Sequence, residues 1–451
     1  MKIVIIGIGK IGMALARSLA QEGHELTLID TDPKALDEAM NVCDVNALVG
    51  NGVNFSVQTE AGVDHADVLI ATTYSDEINM LCCLVAKRVG VRRTVARIRD
   101  PEYTKDFLHV LDKMGLDMVV NPEYEAAEEI SRLIRYPAAI GLNTFAKGKV
   151  DLAELRVPKD SPLDGVRIAQ MSKKLGARIL VCAIIREEGV VIPNGESHIQ
   201  AGDRIFFTAS HDQLSLFFRE MGVWQNRPKT VFVVGGGRIT YYLSRQLLEL
   251  GLTVKIVEMD EKRCLELSEL LPKARIICGN GSDQAMLEEE NVDSADALVA
   301  ATDRDEENII LGMYASLKGI RKVITKVSKT ELTGMFETVG LESVVAPKTL
   351  TENLILRYIR SMKNTRDGVQ TMYRLADNQV EALEFHVAAD SKVINIPLMK
   401  LELKSDLLIC CIIRNNHIII PGGNDVIRAG DNVIVTTRND QPLSVLEDIL
   451  R

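Results

Sequence analysis

Residues 2–12 read KIVIIGIGKIG, and residues 230–240 read TVFVVGGGRIT. In each stretch a β-branched and aliphatic run ends on a glycine cluster and passes into an amphipathic segment, the order strand, glycine loop, helix. Gly7 maps on Gly235, and the same register carries Gly23 to Gly251, Asp30 to Glu258 and Asp32 to Asp260. After one inserted residue, Gly50-Asn51-Gly52 maps on Gly279-Asn280-Gly281, Asn79 on Asn308 and Arg97 on Lys326. Further on, Arg186 pairs with Arg414, Pro193 with Pro421, and AGDRIFF (201–207) with AGDNVIV (429–435). The chain is therefore a duplication of two composite units.

Within the first unit, short apolar runs at 2–7, 25–30, 45–49, 67–71 and 94–98 read as strands. Amphipathic stretches at 11–22, 33–40, 54–61 and 76–89 read as the helices between them. Continuous apolar strands separated by helices predict a parallel sheet covered on both faces, a Rossmann-like, doubly wound α/β fold. NPEYEAAEEISRLIRYP (121–137) opens with Asn-Pro and stops at Pro137, which predicts a further helix, with APKTLTENLILRYIRS (346–361) as its counterpart. After each, short strands, P-N-G or P-G-G turns and one helix at 165–174 predict small α+β domains. The expected order is A–B–A′–B′: 1–137 and 229–362 Rossmann-like, 138–225 and 370–451 small, with a joint at Trp224–Lys229.

Composition narrows the function classes. Of 451 residues, 46% are hydrophobic and 26% charged, as in an ordinary globular protein, which sets aside disorder and coiled coil. A formal net charge of −10 makes a phosphate backbone a poor global partner, so no nucleic acid is expected. Apolar runs such as Leu407 to Ile413, seven residues, fall far short of the ~20 residues a membrane helix needs. The N-terminal run, interrupted by glycines and Lys10, reads as a buried strand and not a signal peptide. None of the eight cysteines makes a C-x-x-C pair, so they are expected to be reduced core residues, with neither a disulfide framework nor a metal site.

Gly7-x-Gly9-x-x-Gly12 sits between a strand and a helix, where glycines permit a tight turn, close approach of a pyrophosphate, and close helix–strand packing. Asp30 ends the second strand, where a carboxylate can accept both ribose hydroxyls of an adenine nucleotide and repel a 2′-phosphate. NAD(H), ATP or ADP fits this loop better than NADP. The second copy keeps Gly235, Gly236 and Gly237, but Thr240 replaces the third glycine and is expected to push the helix from the strand. Glu258 keeps the carboxylate there, and the ligand of the second cleft can differ from the first. Asn51, Gly52, Thr73, Tyr74, Arg97 and Arg99 fall at strand ends around the same crevice, and Arg97, Arg99 and Lys326 can reach phosphate charge. No H-E-x-x-H, G-x-S-x-G or Walker lysine loop appears, and the seven histidines are scattered. A duplicated nucleotide fold without a catalytic domain reads as a sensor, not an enzyme.

Taken in order, GIGKIG (7–12), IDTD (29–32), ATTYSDEINM (71–80), ARIRDPEY (96–103), SRLIRYP (131–137) and the two A-G-D strands make the whole chain resemble the TrkA family. That resemblance implies a peripheral, cytoplasmic, NAD-binding regulatory subunit of the Trk potassium uptake system, built of two tandem RCK modules. It implies a homo-oligomeric ring, a tetramer with eight RCK modules, on the inner face of the cell membrane, gating a membrane-embedded TrkH-like potassium translocator. It places first-site positions on Gly7, Ile8, Gly9, Lys10, Ile11, Asp30, Thr73, Tyr74 and Arg97. Second-site positions fall on Gly235, Gly236, Gly237, Arg238, Ile239, Glu258, Thr302, Asp303 and Lys326. The cofactors implied are NAD(H) in the first site and ATP/ADP or NAD(H) in the second. The competing readings are an NAD-dependent oxidoreductase with duplicated cofactor domains and the gating ring of another cation channel. Purified protein is expected to bind NADH without turning it over; hydride transfer to any acceptor at a useful rate reverses the choice.

Overall fold

The computed structural model describes residues 1–104, 115–146, 148–186, 188–222, 228–328, 336, 339–362, 368–376, 379–438, 440 and 443–451. Of the expected joint at Trp224–Lys229, only Pro228 and Lys229 are among them.

The first unit opens with β1 (Lys2–Ile6), β2 (Glu25–Asp30), β3 (Asn46–Val49), β4 (Val68–Ala71), β5 (Arg93–Arg97) and β6 (Met118–Val120), all parallel, in the order β3-β2-β1-β4-β5-β6. Helices α1 (Lys10–Gln21), α2 (Pro33–Val42), α3 (Phe55–Glu60) and α4 (Asp76–Val89) connect the strands, a short α5 (Pro101–Thr104) follows β5, and α6 (Pro122–Arg135) leaves β6. The order reverses between β1 and β4, and the crevice at their C-terminal ends is where doubly wound sheets bind ligands. The chain then forms β7 (Gly141–Phe145), β8 (Val150–Arg156), α7 (Ile168–Leu175), β9 (Leu180–Arg186), β10 (Gly189–Val191), β11 (Arg204–Ser210) and α8 (His211–Glu220). Their strands make an antiparallel sheet, β10-β9-β11-β8-β7.

The second unit repeats the plan. Strands β12 (Thr230–Val234), β13 (Thr253–Glu258), β14 (Arg275–Cys278), β15 (Ala297–Ala300), β16 (Lys322–Lys326) and β17 (Ser343–Val345) order as β14-β13-β12-β15-β16-β17. Its helices are α9 (Arg238–Glu249), α10 (Glu261–Leu270), α11 (Gln284–Glu289), α12 (Asp305–Leu317) and α13 (Pro347–Met362). Strands β18 (Val369–Leu375), β19 (Val380–His386), β20 (Leu407–Arg414), β21 (His417–Ile419) and β22 (Asn432–Arg438) form the second antiparallel sheet, β18-β19-β22-β20-β21. The doubly wound class expected from strand–helix alternation is the class found. The three-residue strands β6 and β17, the short helix α5 and helix α8 were not anticipated. The helix expected at 165–174 is α7, whereas the second unit has only a 3-10 turn, Leu398–Lys400, at the matching place.

The two units exchange helices. Asn121 caps α6 by accepting from the Tyr124 N–H at 2.9 Å, with Pro122 in the first turn. The apolar face of α6, Ala126, Ala127, Ile130 and Leu133, buries against α9 of the other unit in one core with Ile239, Leu243 and Leu247. Reciprocally, Ile355, Leu356 and Ile359 of α13 complete the core of the first unit with Leu15 and Leu19 of α1. The small domains meet through Leu152, Cys182 and Phe206 from one and Val380, Ala382, Cys410 and Ile434 from the other. Burying a Leu or Ile side chain contributes about 1.5–3 kcal/mol, so neither unit keeps a complete core without its twin. Polar ties follow the same seams. Lys322 is buried and donates to the Ala139 carbonyl at 2.6 Å and Ser343 Oγ at 2.7 Å, and burial pushes its pKa down to about 7.

Arg360 of α13 grips Glu22, the residue after α1, through Nε and Nη2. Burial raises the Glu22 carboxyl, but His24, with Nε2 3.8 Å away, and the hydrogen-bonded guanidinium of Arg360 outweigh it and hold the pKa at about 2, below the ordinary 4.5. A depressed carboxylate stabilises the folded state above its unfolded pKa and loses that contribution as pH falls through the folded value. Glu22→Gln is therefore expected to lower Tm at neutral pH, with the gap to wild type closing between about pH 4.5 and pH 2. Scanning calorimetry across that range checks it, and a pH-independent gap contradicts it.

Candidate nucleotide clefts

At the end of β1 the backbone of Gly7 turns with φ +90°, and a Cβ there would lie 2.7 Å from the Thr73 nitrogen. A Cβ on Gly12 would stand 2.1 Å from the Gly7 carbonyl oxygen, so both glycines are required by the turn itself. Thr72 Oγ1 donates to that carbonyl at 2.9 Å. Asp30 lies across the loop, accepting from the Ile8 N–H at 2.6 Å and the Asp32 N–H at 2.9 Å. A Cβ on Gly9 would meet nothing within 4 Å, which leaves the N-terminal end of α1 open to a ligand. The neighbouring strand ends are tied together by Asn79, fully buried, which accepts from the Thr73 N–H at 2.7 Å and donates to the Arg97 carbonyl at 2.8 Å. Arg97 donates to the Thr73 carbonyl and Arg99 to the Tyr74 carbonyl.

The second loop satisfies its backbone by other means. Gly235 turns with φ +100°, and Glu258 accepts from the Gly236 N–H at 2.6 Å, as Asp30 does from Ile8. Thr240 does not spoil the loop: it is fully buried, and its hydroxyl donates to the Gly235 carbonyl, so its Cβ stands clear of that oxygen. Ala301 occupies the place of Thr72 and has no hydroxyl to give. The donor that satisfies the loop carbonyl has moved from the strand end to the helix, and Thr240 keeps its Cβ where the first loop, with 2.1 Å from a Cβ on Gly12 to the Gly7 carbonyl oxygen, has room for none. Asn308 repeats Asn79, accepting from Thr302 at 2.9 Å and donating to the Lys326 carbonyl at 3.1 Å. Lys326 in turn donates to the Thr302 carbonyl at 3.0 Å and to Asp303 at 3.2 Å.

Because the units exchange helices, the two loops open on one cavity of about 1040 Å³. Of the first-site residues it is bordered by Gly7, Gly9, Lys10, Ile11, Asp30, Asn51, Gly52, Thr73, Tyr74, Arg97 and Arg99, but not by the buried Ile8 and Gly12. From the second site, Gly237, Arg238, Ile239, Asp303 and Lys326 border it, while Gly235, Gly236, Glu258 and Thr302 do not. Gly52 also has a packing role, since a Cβ there would sit 2.3 Å from Ile6 Cγ2. Three charged residues that spacing gave no reason to choose join them: Arg263, Glu123 and Lys348. Arg263 donates to the Gly236 carbonyl at 2.8 Å, on the second loop itself. Its first-unit counterpart is Ala35, so the duplication gave no signal.

The cavity is lined by seven cations, Lys10, Arg97, Arg99, Arg238, Arg263, Lys326 and Lys348, against three carboxylates, Asp30, Glu123 and Asp303. Burial and the neighbouring Arg99 both work against the charged form of Arg97. Its Nε is buried without a partner, and so is Glu123 Oε2. Burial raises the Glu123 carboxyl against the pull of Arg99, Arg97 and Arg238. An unpaired buried N–H on a permanent cation, beside an open helix N-terminus, fits an anionic phosphate.

This arrangement is that of a tandem RCK protein. The crystal structure of the GsuK RCK domain matches 97% of this chain and 92% of that one with a TM-score of 0.63 at 16% identity. The GsuK channel bound to NAD matches 97% of this chain and 77% of that one with a TM-score of 0.63 at 17% identity. The TrkA-N domain family matches residues 3–122 and 231–347, and the TrkA-C domain family residues 152–222 and 382–450. The chain belongs to the TrkA family. It is 33% identical over 451 residues, the whole of both chains, to the Trk system potassium uptake protein TrkA homolog of Archaeoglobus fulgidus. It is 31% identical over 438 residues, 96% of this chain and 95% of that one, to the Trk system potassium uptake protein TrkA of Halomonas elongata. By their names, these relatives are potassium uptake proteins and a channel with its RCK domain.

The relocated hydroxyl makes a direct prediction. Thr240→Ala strands the Gly235 carbonyl and is expected to cost about 1 kcal/mol of stability. Adding Ala301→Thr should return most of that loss, as Thr72 does in the first unit. Denaturant midpoints of the two variants check this, and strictly additive losses refute it.

Proposed function

We propose that this chain is the regulatory subunit of a potassium uptake system, binding adenine nucleotides in its two clefts and thereby setting flux through a membrane-embedded, TrkH-like translocator. The observation that carries the reading is the unpartnered, buried Nε of Arg97 beside the open Gly9 end of the first loop. In a chain of net charge −10, seven cations around one cavity are a local inversion that calls for phosphate. NAD(H) suits the first cleft: its pyrophosphate at Gly7, Gly9, Lys10 and Ile11, its adenosine ribose on Asp30, and Thr73, Tyr74, Arg97 and Arg99 around the phosphates. Glu258 offers the same ribose contact in the second cleft, and Arg238, Arg263 and Lys326 add cations there that suit ATP or ADP as well as NAD(H). The names of the relatives and the GsuK channel bound to NAD support the same reading. The assembly this implies is a cytoplasmic ring of four chains, eight modules, docked on the membrane partner. No helix among the described residues is long and apolar enough to cross a membrane, consistent with a separate translocator.

The clefts are wired to each other within one chain. Tyr242 lies on α9, the helix that begins at the second glycine loop. Its hydroxyl donates to the Arg99 carbonyl at 3.1 Å and accepts from Asn121 Nδ2 at 2.9 Å. Phosphate drawing Arg97 and Arg99 inward in the first cleft therefore pulls on the second. Ligands of different charge and length favour different interunit angles, and a coupling of about 1–3 kcal/mol corresponds to a 5–150-fold bias. Titration calorimetry with NAD, NADH, ADP and ATP, paired with potassium flux in vesicles holding the translocator, tests this. Asp30→Ala and Arg97→Ala should each weaken first-cleft binding at least tenfold and blunt nucleotide-dependent flux, while Tyr242→Phe should leave both affinities in place and lose their interdependence. Wild-type protein that binds no nucleotide at millimolar concentration ends the proposal.

A further inference from the structure

The expectation that every cysteine is a small core residue fails at Cys43, which is half-buried, and most clearly at Cys278. All eight are free thiols, but Cys278 is exposed. It ends β14, paired in parallel register with Glu258 at the end of β13. Cys264, buried in the first turn of α10, donates its thiol to the Glu258 carbonyl at 3.3 Å, the same oxygen that accepts from the Gly279 N–H at 2.8 Å. Cys264 and Cys278 thus flank the Glu258 peptide unit, one from the helix that packs on β14 and one from β14 itself, which brings the two side chains near each other. The first unit has Leu36 and Val49 at these positions, so packing of this element does not require sulfur. Cys182 and Cys410 also meet, across the seam between the small domains, but both are fully buried. Only the Cys264–Cys278 pair combines contact with solvent access.

We propose that Cys264 and Cys278 form a reversible thiol–disulfide site, oxidised by a low-molecular-weight disulfide. Exposed Cys278, as thiolate, attacks the reagent disulfide, forming a mixed disulfide and releasing one reagent thiolate, which takes up the proton that Cys278 gave. Cys264 then loses its proton and attacks Cys278 Sγ, expelling a second reagent thiolate, which takes that proton. Two protein thiols are oxidised by two electrons, and one reagent disulfide is reduced to two thiols. Burial, Cys278, and the charges of Glu258 and Asp260 push the Cys264 thiol up to about 12, which assigns the entering role to Cys278. The link ties α10 to β14 next to Glu258 and Arg263, so it freezes one wall of the second cleft. Its formation does not depend on the nucleotide reading.

The test equilibrates the reduced full-length protein with oxidised glutathione, blocks free thiols with iodoacetamide and maps peptides by mass without reductant. The expected result is a Cys264–Cys278 linked peptide that disappears on reduction, absent from Cys278→Ser, with a stable glutathione adduct on Cys278 in Cys264→Ser. A wild-type protein that keeps both thiols free, or that stops at the Cys278 adduct, overturns the proposal. So does a Cys264→Ser protein that takes up no glutathione at Cys278.

Discussion

The exchange of α6 and α13 between the two units is the constraint on which the rest of the molecule depends. Each helix completes the core of the unit that does not contain it: α6 on α9, α13 on α1. Because α1 and α9 begin at the two glycine loops, helices that cross between units fix where the loops face. One cavity between the units, instead of two remote clefts, is the geometric result. A single unit would leave Ile355, Leu356 and Ile359 of its exchanged helix in water, so the duplication serves as an internal dimer.

Within that frame, polar accounting differs between the copies while the outcome stays the same. Each glycine loop turns on a left-handed glycine whose carbonyl needs a donor. The first unit takes it from Thr72 and must then keep Gly12 bare; the second takes it from Thr240 and can leave Ala301 without a hydroxyl. The missing third glycine is thus a substitution matched by its neighbour, and it is no measure of a lost site. The buried asparagines Asn79 and Asn308, by contrast, are retained, since each clamps a strand-end N–H and the carbonyl of the next strand's cation at once.

What was legible in the sequence follows from which interactions are local. The parallel sheets were readable because five strands per sheet are runs of β-branched residues bounded by glycine or helical periodicity. The sixth strands, Met118–Val120 and Ser343–Val345, are three residues long and carry no such pattern. Helix α8 escaped because its second-unit counterpart is only the 3-10 turn Leu446–Ile449, so repetition did not mark it. At the clefts, the glycines, Asp30 and Arg97 were legible from motif and register. Tyr242, Glu123, Lys348 and Arg263 were not. Glu123 and Lys348 reach the cavity on the exchanged helices, Tyr242 reaches its wall from α9 across the boundary between the units, and Arg263 stands where the first copy has alanine.

The charge pattern gives the clefts their sensitivity. Arg97 and Arg99 are held on the carbonyls of Thr73 and Tyr74, bonds to neutral acceptors that an arriving phosphate can outbid, since charge-assisted pairs are roughly twice as strong. Glu123 sits among Arg99, Arg97 and Arg238, one cation cluster drawn from both units, while Lys348, its counterpart, brings a positive charge to the cavity. The two ends of the cavity therefore differ in charge although the backbones match. Under the proposed function, a ligand with more phosphate charge would gain most from the end lacking the glutamate, and a dinucleotide with a compact pyrophosphate would give up less at the end that holds it. Because α6 and α13 carry these two residues, a preference for one nucleotide over another would, under the proposed function, act directly on the helices that hold the units together.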